Sequence, residues 1–537
     1  MLVCVILFGC ASCSSRGSGK TIVCAVDSSP STLDPQYADE PGAQMIINNT
    51  FEGLVRRDKD GKIINGIAKE WNVSEDGLVW TFTLYPSTDW YCSIAIKNEY
   101  GKDFYEKFEK VKVTAHDFEF ACQRTVDPAI NSPLAQRMMI IEGAADVYAG
   151  KADMSSLGVK ALDDRTLEFR LTEKNDSFLE RLTESEFMPC NREFYEATGG
   201  RYGLGTRYIL GNGPFYVSYW DDENGITLKN NKFYLTKVPG AKLALPNTVT
   251  ISFDSDEASI NKRLSNGSLT AATLSPASDL PGSVKVLREI RNTSTGLIFN
   301  CSDPVTKNAN IRKALCSSFD RNLFPGTDEN IQTETGLVPA SCLCGQASYR
   351  ARVGDQTPVL KYDPDSAAAL MEKGLKSLKT DKVSIRILCP ERFDIPLREQ
   401  LQVWEKIFKL NLSVSVITET EKNIAAMIQS GNFQVALGDI TTDKKSAQDF
   451  LSGFAEGNIF RLNSKKYNET INRLATVTTE DEMLDGCFTA EYILLQQAVC
   501  LPLYSKAERF AVSKNSEGIE ILDSESTIFF LNARRFD

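Results

Sequence analysis

The chain has 537 residues, more than a single hydrophobic core normally serves, so at least two domains are expected. Hydrophobic residues at 42% and charged residues at 24% are the proportions of an ordinary globular protein and exclude global disorder. A net charge of −11, with no basic stripe, excludes nucleic acid as the main partner, because phosphate binding draws on clustered Lys and Arg.

The first ten residues, MLVCVILFGC, are apolar but far short of the roughly 20 that span a bilayer. They read as the end of a signal peptide. Leu7-Phe8-Gly9-Cys10 is similar to a lipobox, in which a small residue before Cys permits cleavage and the Cys becomes the acylated first residue, so Cys10 is the expected lipidation site. No Lys or Arg precedes the apolar run, and the signal is therefore expected to be incomplete. Residues 11–19 are small and polar, as a tether should be.

Residues 20–26 form an expected first strand, and Pro35 forces Asp34 into extended geometry at a turn. Met45, Ile46, Asn49 and Thr50 lie on a helix running into Phe51-Glu52-Gly53-Leu54, before a turn cluster at 58–61. Trp71 is expected to anchor a core. Leu78, Trp80, Phe82 and Leu84 alternate with Val79, Thr81, Thr83 and Tyr85, which predicts a half-buried strand. Residues 97–112, rich in Lys and Glu, predict a solvated surface excursion. Thr114 and Asp117 then have the spacing of a capping box, which opens a helix with Phe118, Ala121 and Cys122 on one face and Asp127-Pro128 at its end. Leu167, Phe169 and Leu171 alternate around an Asp163-Asp164 hairpin turn. Gly211-Asn212-Gly213-Pro214-Phe215 predicts a tight turn with backbone angles that ordinary residues avoid. A strand is expected at 297–300, followed by a helix capped by Asn310, with Ile311, Ala314, Leu315 and Phe319 inward and Arg312 and Lys313 facing water. Asp363-Pro364 begins another helix that Gly374 is placed to end. Gln402, Trp404 and Phe408 share a further helix, before an extended stretch at 412–417.

Several of these landmarks recur together in one known family. Val113-Thr114-Ala115-x-Asp117-Phe118-x-Phe120 followed by Arg124-x-x-Asp127-Pro128, Asn49-x-Phe51-Glu52-Gly53-Leu54, Asn212-Gly213-Pro214-Phe215 and Asn310-Ile311-Arg312-Lys313-Ala314-Leu315 with Phe319-Asp320-Arg321 resemble, in order, the family 5 solute-binding proteins, the oligopeptide-binding lipoproteins of ABC importers. The resemblance runs from about Ile22 to about Leu503. It implies a two-lobed α/β periplasmic-binding-protein-like fold with an additional domain. The implied parts are a discontinuous first lobe (20–65, 204–295 and 505–537), the additional domain (66–203) and a third part (296–504). It also implies a lipid-anchored monomer at the outer face of the cytoplasmic membrane or in the periplasm. Such a chain captures an oligopeptide in a cleft between lobes and docks on permease subunits, with import driven by a separate ATPase.

The same resemblance directs attention to candidate ligand contacts. Oligopeptide binders carry a Gly-Trp-x-Ala-Asp segment, and the corresponding stretch here is Leu437-Gly438-Asp439-Ile440-Thr441-Thr442-Asp443. Gly438 keeps a close backbone approach, Asp439 replaces the tryptophan, and Asp443 matches the acid that holds a peptide's amino terminus if one residue is inserted. Gln44 and Met45 fall where the family offers an extended edge to the ligand backbone, and Arg137 is a candidate partner for a ligand carboxylate, since 427–439 holds no arginine.

Enzymatic readings find little to build on. With one histidine, His116, no His-rich metal site exists, and any Ser-His-Asp triad would need that residue in an exposed first helical turn. Gly17-Ser18-Gly19-Lys20-Thr21 mimics a phosphate-binding loop, but Ser14 stands where the first glycine belongs. No cofactor and no metal are expected. The 14 cysteines are scattered apart from Cys342-Leu343-Cys344, and most are read as buried small hydrophobes. The alternatives that stay open are the same fold with another solute (an oligosaccharide, nickel chelate or opine), or a surface adhesin or sensor derived from it.

Overall fold

A computed structural model describes residues 21–536 apart from 59–60, 87, 110, 176, 235–243, 275–279, 325–331, 334–335, 346, 355, 357, 443, 445, 456, 475–476, 478 and 522–527. The expected signal, tether and Cys10 lie outside the described residues, as does Asp443. The chain divides into two compact units, one of residues 1–273, 280–287 and 510–537, the other of 274–279 and 288–509. Each has its own hydrophobic core.

In the first unit, Thr21–Val26 pairs in parallel with Thr248–Phe253 and with Ala271–Leu274, and Gly225–Asn230 and Phe215–Asp221 extend the sheet antiparallel. A separate four-stranded antiparallel sheet joins Ala68–Val73, Val79–Leu84, Thr166–Arg170 and Val159–Asp163 in that order. Its inward residues are the ones the alternation picks out: Trp80, Phe82, Leu84, Leu167 and Phe169 are all buried. Phe82 meets Phe169 edge-on at 5.8 Å, and half-buried Trp71 packs on Phe82 at 6.2 Å.

Helix Ala115–Val126 covers this sheet and starts as its sequence dictates. The Thr114 N–H donates to Asp117 Oδ2 at 2.8 Å in a complete capping box, and Asp127 ends the helix before Pro128. Asp117 also accepts from Trp90 Nε1 at 3.4 Å and Asn191 Nδ2 at 3.2 Å. Burial nevertheless pushes its carboxyl up to about 6. A folded-state value above the ordinary one means that the native state holds the proton more tightly. The stability this contributes is present below about pH 4 and lost as pH rises through about 6. Between those values the wild type is therefore expected to lose about 2 to 3 kcal/mol that an Asp117→Asn variant keeps, a difference read from urea unfolding at a series of pH values. Parallel profiles for the two proteins would contradict it.

The segment read as a solvated excursion is structured. Helices Ile94–Tyr100 and Lys102–Phe108 bury Ile96 and Phe108, and Tyr100, Phe104 and Phe108 stack on one another and meet Phe194. Lys102, Glu106 and Lys107 occupy the exposed face of the second helix, and the aromatics at spacings of four form the inner one. The Gly211 to Gly213 turn is also built differently from its reading. Neither glycine has positive φ; a Cβ on Gly211 would meet Thr50 O at 2.4 Å, and one on Gly213 would meet Thr50 C at 2.5 Å. Glycine is needed there for space, and Asn212 clasps both main-chain groups of Glu52 at 2.9 Å.

In the second unit, Leu412–Glu419, Val383–Pro390 and Val435–Thr441 are mutually parallel neighbours, and the next strand, Val284–Phe299, runs antiparallel to Val435–Thr441 and lies beside Cys500–Ser513. Helices Ala309–Ser317, Pro364–Leu378 and Asp394–Phe408 contribute Ile311, Leu315, Met371, Leu397 and Trp404 to the core. The first of these is capped by Asn308, not Asn310, whose N–H is the donor at 2.9 Å. Arg312 does not face water: it is 2% exposed, and its guanidinium donates to the carbonyls of Thr306, Lys307, Gln497 and Ala498. Gly374 does not end the second helix but lies inside it, where a Cβ would strike Ile311 Cδ1 at 2.5 Å. All eleven described cysteines are free, ten of them buried and Cys301 half-buried. Burial pushes the thiols up, to about 12 for Cys24, Cys316 and Cys487.

Candidate functional site

In open α/β sheets, ligands bind beyond the carboxyl ends of the parallel strands, where loops and helix starts leave side chains unpacked. In the second unit each of the three parallel strands delivers a charged residue to that edge. Arg392 follows the end of Val383–Pro390, Glu421 opens the helix after Leu412–Glu419, and Asp439 lies near the end of Val435–Thr441. Two further strands contribute from the side. Thr295 is the register partner of Asp439, and Tyr504 and Lys506, two residues apart on Cys500–Ser513, share a face.

These groups form one network. Asp439 Oδ2 accepts from Lys506 Nζ at 2.5 Å, Oδ1 accepts from Thr295 Oγ1 at 2.6 Å, and Arg392 Nη2 stands 3.7 Å away. Arg392 Nε reaches Glu421 Oε1 at 2.7 Å while Nη1 donates to Tyr504 Oη at 3.3 Å. Glu421 Oε2 is 3.8 Å from Lys506 Nζ. Two cations and two anions thus alternate, and side-chain exposure rises from 19% at Lys506 and 25% at Asp439 to 36% at Arg392 and 52% at Glu421. The Asp439 end is fixed by packing, and the Glu421 end is open.

The residues expected from sequence are distributed differently. Asp439 is in the network, with its carboxylate already held by Lys506 and Thr295. Ile440 beside it is buried and stands in register with Ser294. Gly438 is close to something, but to its own chain: a Cβ there would lie 3.1 Å from Ile428 Cδ1 and 3.4 Å from Ile424 Cγ2, so helix Glu421–Ser430 uses the space. Gln44 and Met45 offer no extended edge. They lie in helix Pro41–Thr50, whose main chain is committed to helical hydrogen bonds, with Met45 buried and Gln44 Nε2 donating to Ser185 Oγ at 2.7 Å. Arg137 faces the chain's own acids, 3.6 Å from buried Glu186 and 3.8 Å from Glu184. His116 is exposed in the first turn of its helix.

Sequence reasoning missed Thr295, Arg392, Glu421, Tyr504 and Lys506. They are spread from Thr295 to Lys506 and converge only through strand order, for which single-residue patterns carry no signal. Among the described residues, no cluster of His, Cys, Asp and Glu able to hold a metal is present, and no helix is long and apolar enough to cross a membrane. A recess of about 50 Å³ in the first unit, floored by Glu52 and Tyr234, is far smaller than the several hundred Å³ that small-molecule sites occupy.

A family model described as bacterial extracellular solute-binding proteins, family 5 Middle, matches residues 62–460. The chain is 26% identical over 543 residues to the oligopeptide-binding protein OppA of Bacillus subtilis (strain 168), covering 97% of this chain and 94% of that one. It is also 26% identical over 493 residues to the probable deoxycholate-binding periplasmic protein YgiS of Escherichia coli (strain K12), covering 89% of this chain and 86% of that one. Among solved structures, the substrate-binding domain of an oligopeptide ABC transporter from Bacillus anthracis (strain Ames) matches with a TM-score of 0.78 at 23% identity, covering 97% of this chain and 99% of that one.

Proposed function

The chain belongs to the bacterial extracellular solute-binding proteins of family 5, and on that premise we propose that it captures oligopeptides outside the cytoplasm and delivers them to the permease of an ABC importer. Its fold is the periplasmic-binding-protein-like α/β fold with an additional domain, and it is a transport component, not an enzyme. The observation that carries the peptide reading is the end-to-end match to an oligopeptide-binding protein, 97% of one chain against 94% of the other. Cys10 is the proposed point of lipid attachment, and residues 66–203 are the proposed additional domain. Asp443 is the proposed partner of the ligand's amino group. A ligand that prefers one conformer of the binding protein shifts the population toward it, and that conformer is the one expected to engage the permease.

The second reading, a non-peptide solute, has a specific observation behind it: a relative of equal identity is a probable deoxycholate-binding protein. Melting temperature separates the two. The chain from Ser14 onward is titrated with pools of peptides, then with bile acids, sugars and metal chelates. A ligand at 100 times its dissociation constant adds about 2.7 kcal/mol, a shift of a few degrees. A shift with peptides that is weakened in Asp443→Ala supports the proposal and its anchor, whereas silence with peptides and a response to another solute overturns the ligand class.

A further inference from the structure

A strand at the edge of a sheet presents a row of unpaired main-chain N–H and C=O groups, and proteins blunt such edges with proline, charge, a bulge or a covering segment. The edge strand of the first unit, Phe215–Asp221, follows that rule with a bulge between Val217 and Tyr219. The edge strand of the second unit does not. Leu412–Glu419, LSVSVITE, stands at the end of its sheet and pairs in parallel with Val383–Pro390 along its whole length, with no shift of register. Up to Thr418 it carries neither proline nor charge, and none of its residues is buried. Among the described residues, no group is bonded to its outer main-chain edge. The flanks indicate what fits there. From Lys406 to Glu421 the only charges are two lysines before the strand, Lys406 and Lys409, and two glutamates at its end, Glu419 and Glu421. Both lysines are exposed, Glu419 is half-buried and Glu421 is 52% exposed. Apolar surface is placed in the same way: Leu410, at 85% the most exposed large apolar side chain among the described residues, precedes the strand, and Ile417, 38% exposed, lies near its end. A second copy added in parallel would set lysine against lysine. Added antiparallel about a two-fold axis near Ser415, it sets the lysines of each copy against the glutamates of the other twice over, and brings Leu410 of each to the end that carries Ile417 of the other.

We propose that Leu412–Glu419 pairs antiparallel with the same strand of a second copy of this chain, forming a weak two-fold dimer where the family resemblance implies a monomer. The proposal does not depend on which solute the chain binds. One pair of strands makes a small interface, so a dissociation constant on the order of 100 µM is expected. Copies tethered side by side on one membrane face, as proposed through Cys10, reach effective concentrations of that scale.

Sedimentation velocity of the chain from Ser14 onward, at concentrations from about 10 µM to about 1 mM, tests it. Wild type is expected to pass from monomer to dimer across that range, and the amides of 412–419 to exchange with deuterium several-fold more slowly in the dimer. Lys409→Glu and Glu419→Lys, changes at surface positions, each set like charges together twice and are expected to weaken dimerisation about tenfold or more. Combining Lys409→Glu with Glu419→Lys exchanges the two ends and restores their complementarity, so the double variant is expected to dimerise within about threefold of wild type. A wild type that stays monomeric to about 1 mM overturns the proposal. Dimerisation that neither reversal weakens, that the double variant does not recover, or that leaves the 412–419 amides unprotected overturns it equally, because the contact then lies elsewhere or in another orientation.

Discussion

Replacing Arg124 by methionine is expected to destabilise the first unit by about 3 to 5 kcal/mol, because it strands a carboxylate in a nearly dry interior. Arg124 is 4% exposed and Asp34 is 7% exposed. The guanidinium reaches Asp34 through two nitrogens, at 2.5 and 3.2 Å, and Nη1 also donates to Gln36 Oε1 at 2.8 Å. Tyr195 lies under its plane at 3.9 Å. Gln36 in turn donates to Met188 O at 2.9 Å, and its own carbonyl accepts from Ser132 Oγ at 2.6 Å, so one side chain ties the Asp34 turn, the capped helix and the 185–190 segment together. The loss should appear as a fall of roughly 6 to 10 °C in melting temperature. Adding Asp34→Leu to Arg124→Met removes the stranded charge, and the double variant is expected to recover part of the loss. A single variant within 1 kcal/mol of wild type would show that the pair is solvated in solution.

The second large effect is expected at Glu491, which is fully buried in the second unit. Its Oε1 accepts from the N–H groups of Leu337 and Val338, at 2.6 and 2.8 Å, and from Arg350 Nη2; its Oε2 accepts from Tyr349 Oη at 3.0 Å. Glu491→Ala removes the acceptor from two main-chain donors and leaves a guanidinium that is 11% exposed without its anion. A loss of about 3 to 5 kcal/mol is expected, measured by urea unfolding. Glu491→Gln keeps one carbonyl oxygen for the two N–H groups but loses the charge, and it is expected to fall between the two. Equal losses for Gln and Ala would mean that the ion pair, and not the main-chain clasp, supplies the stability.

How much of this was legible beforehand depends on the range of the determining interactions. The capping box of Thr114 and Asp117, the apolar face of Phe118, Ala121 and Cys122, the Asp163-Asp164 hairpin and the Asp363-Pro364 helix start are set by neighbours within a few residues, and each is present. The readings that failed needed distant information. Arg312 looks like a solvent-facing position by helical period, but carbonyls at 497 and 498 call it inward. Gly374 looks like a helix stop until Ile311 takes the space of its missing side chain. Lys and Glu in 97–112 concealed the Tyr100, Phe104 and Phe108 stripe. Of the site, only the Val435–Thr441 strand with Asp439 was within reach; its partners Arg392, Glu421 and Lys506 depend on strand order.

The ten buried thiols among the described residues have a consequence for biosynthesis. In the native protein burial holds them protonated and packing screens them, so an oxidant outside the cytoplasm would find little to react with. An unfolded chain has no such shelter: every thiol is then solvated with an ordinary acidity and competes for non-native bridges. The vulnerable interval is therefore the passage from translocation to collapse, and the speed at which the two cores close decides the yield of correctly made protein.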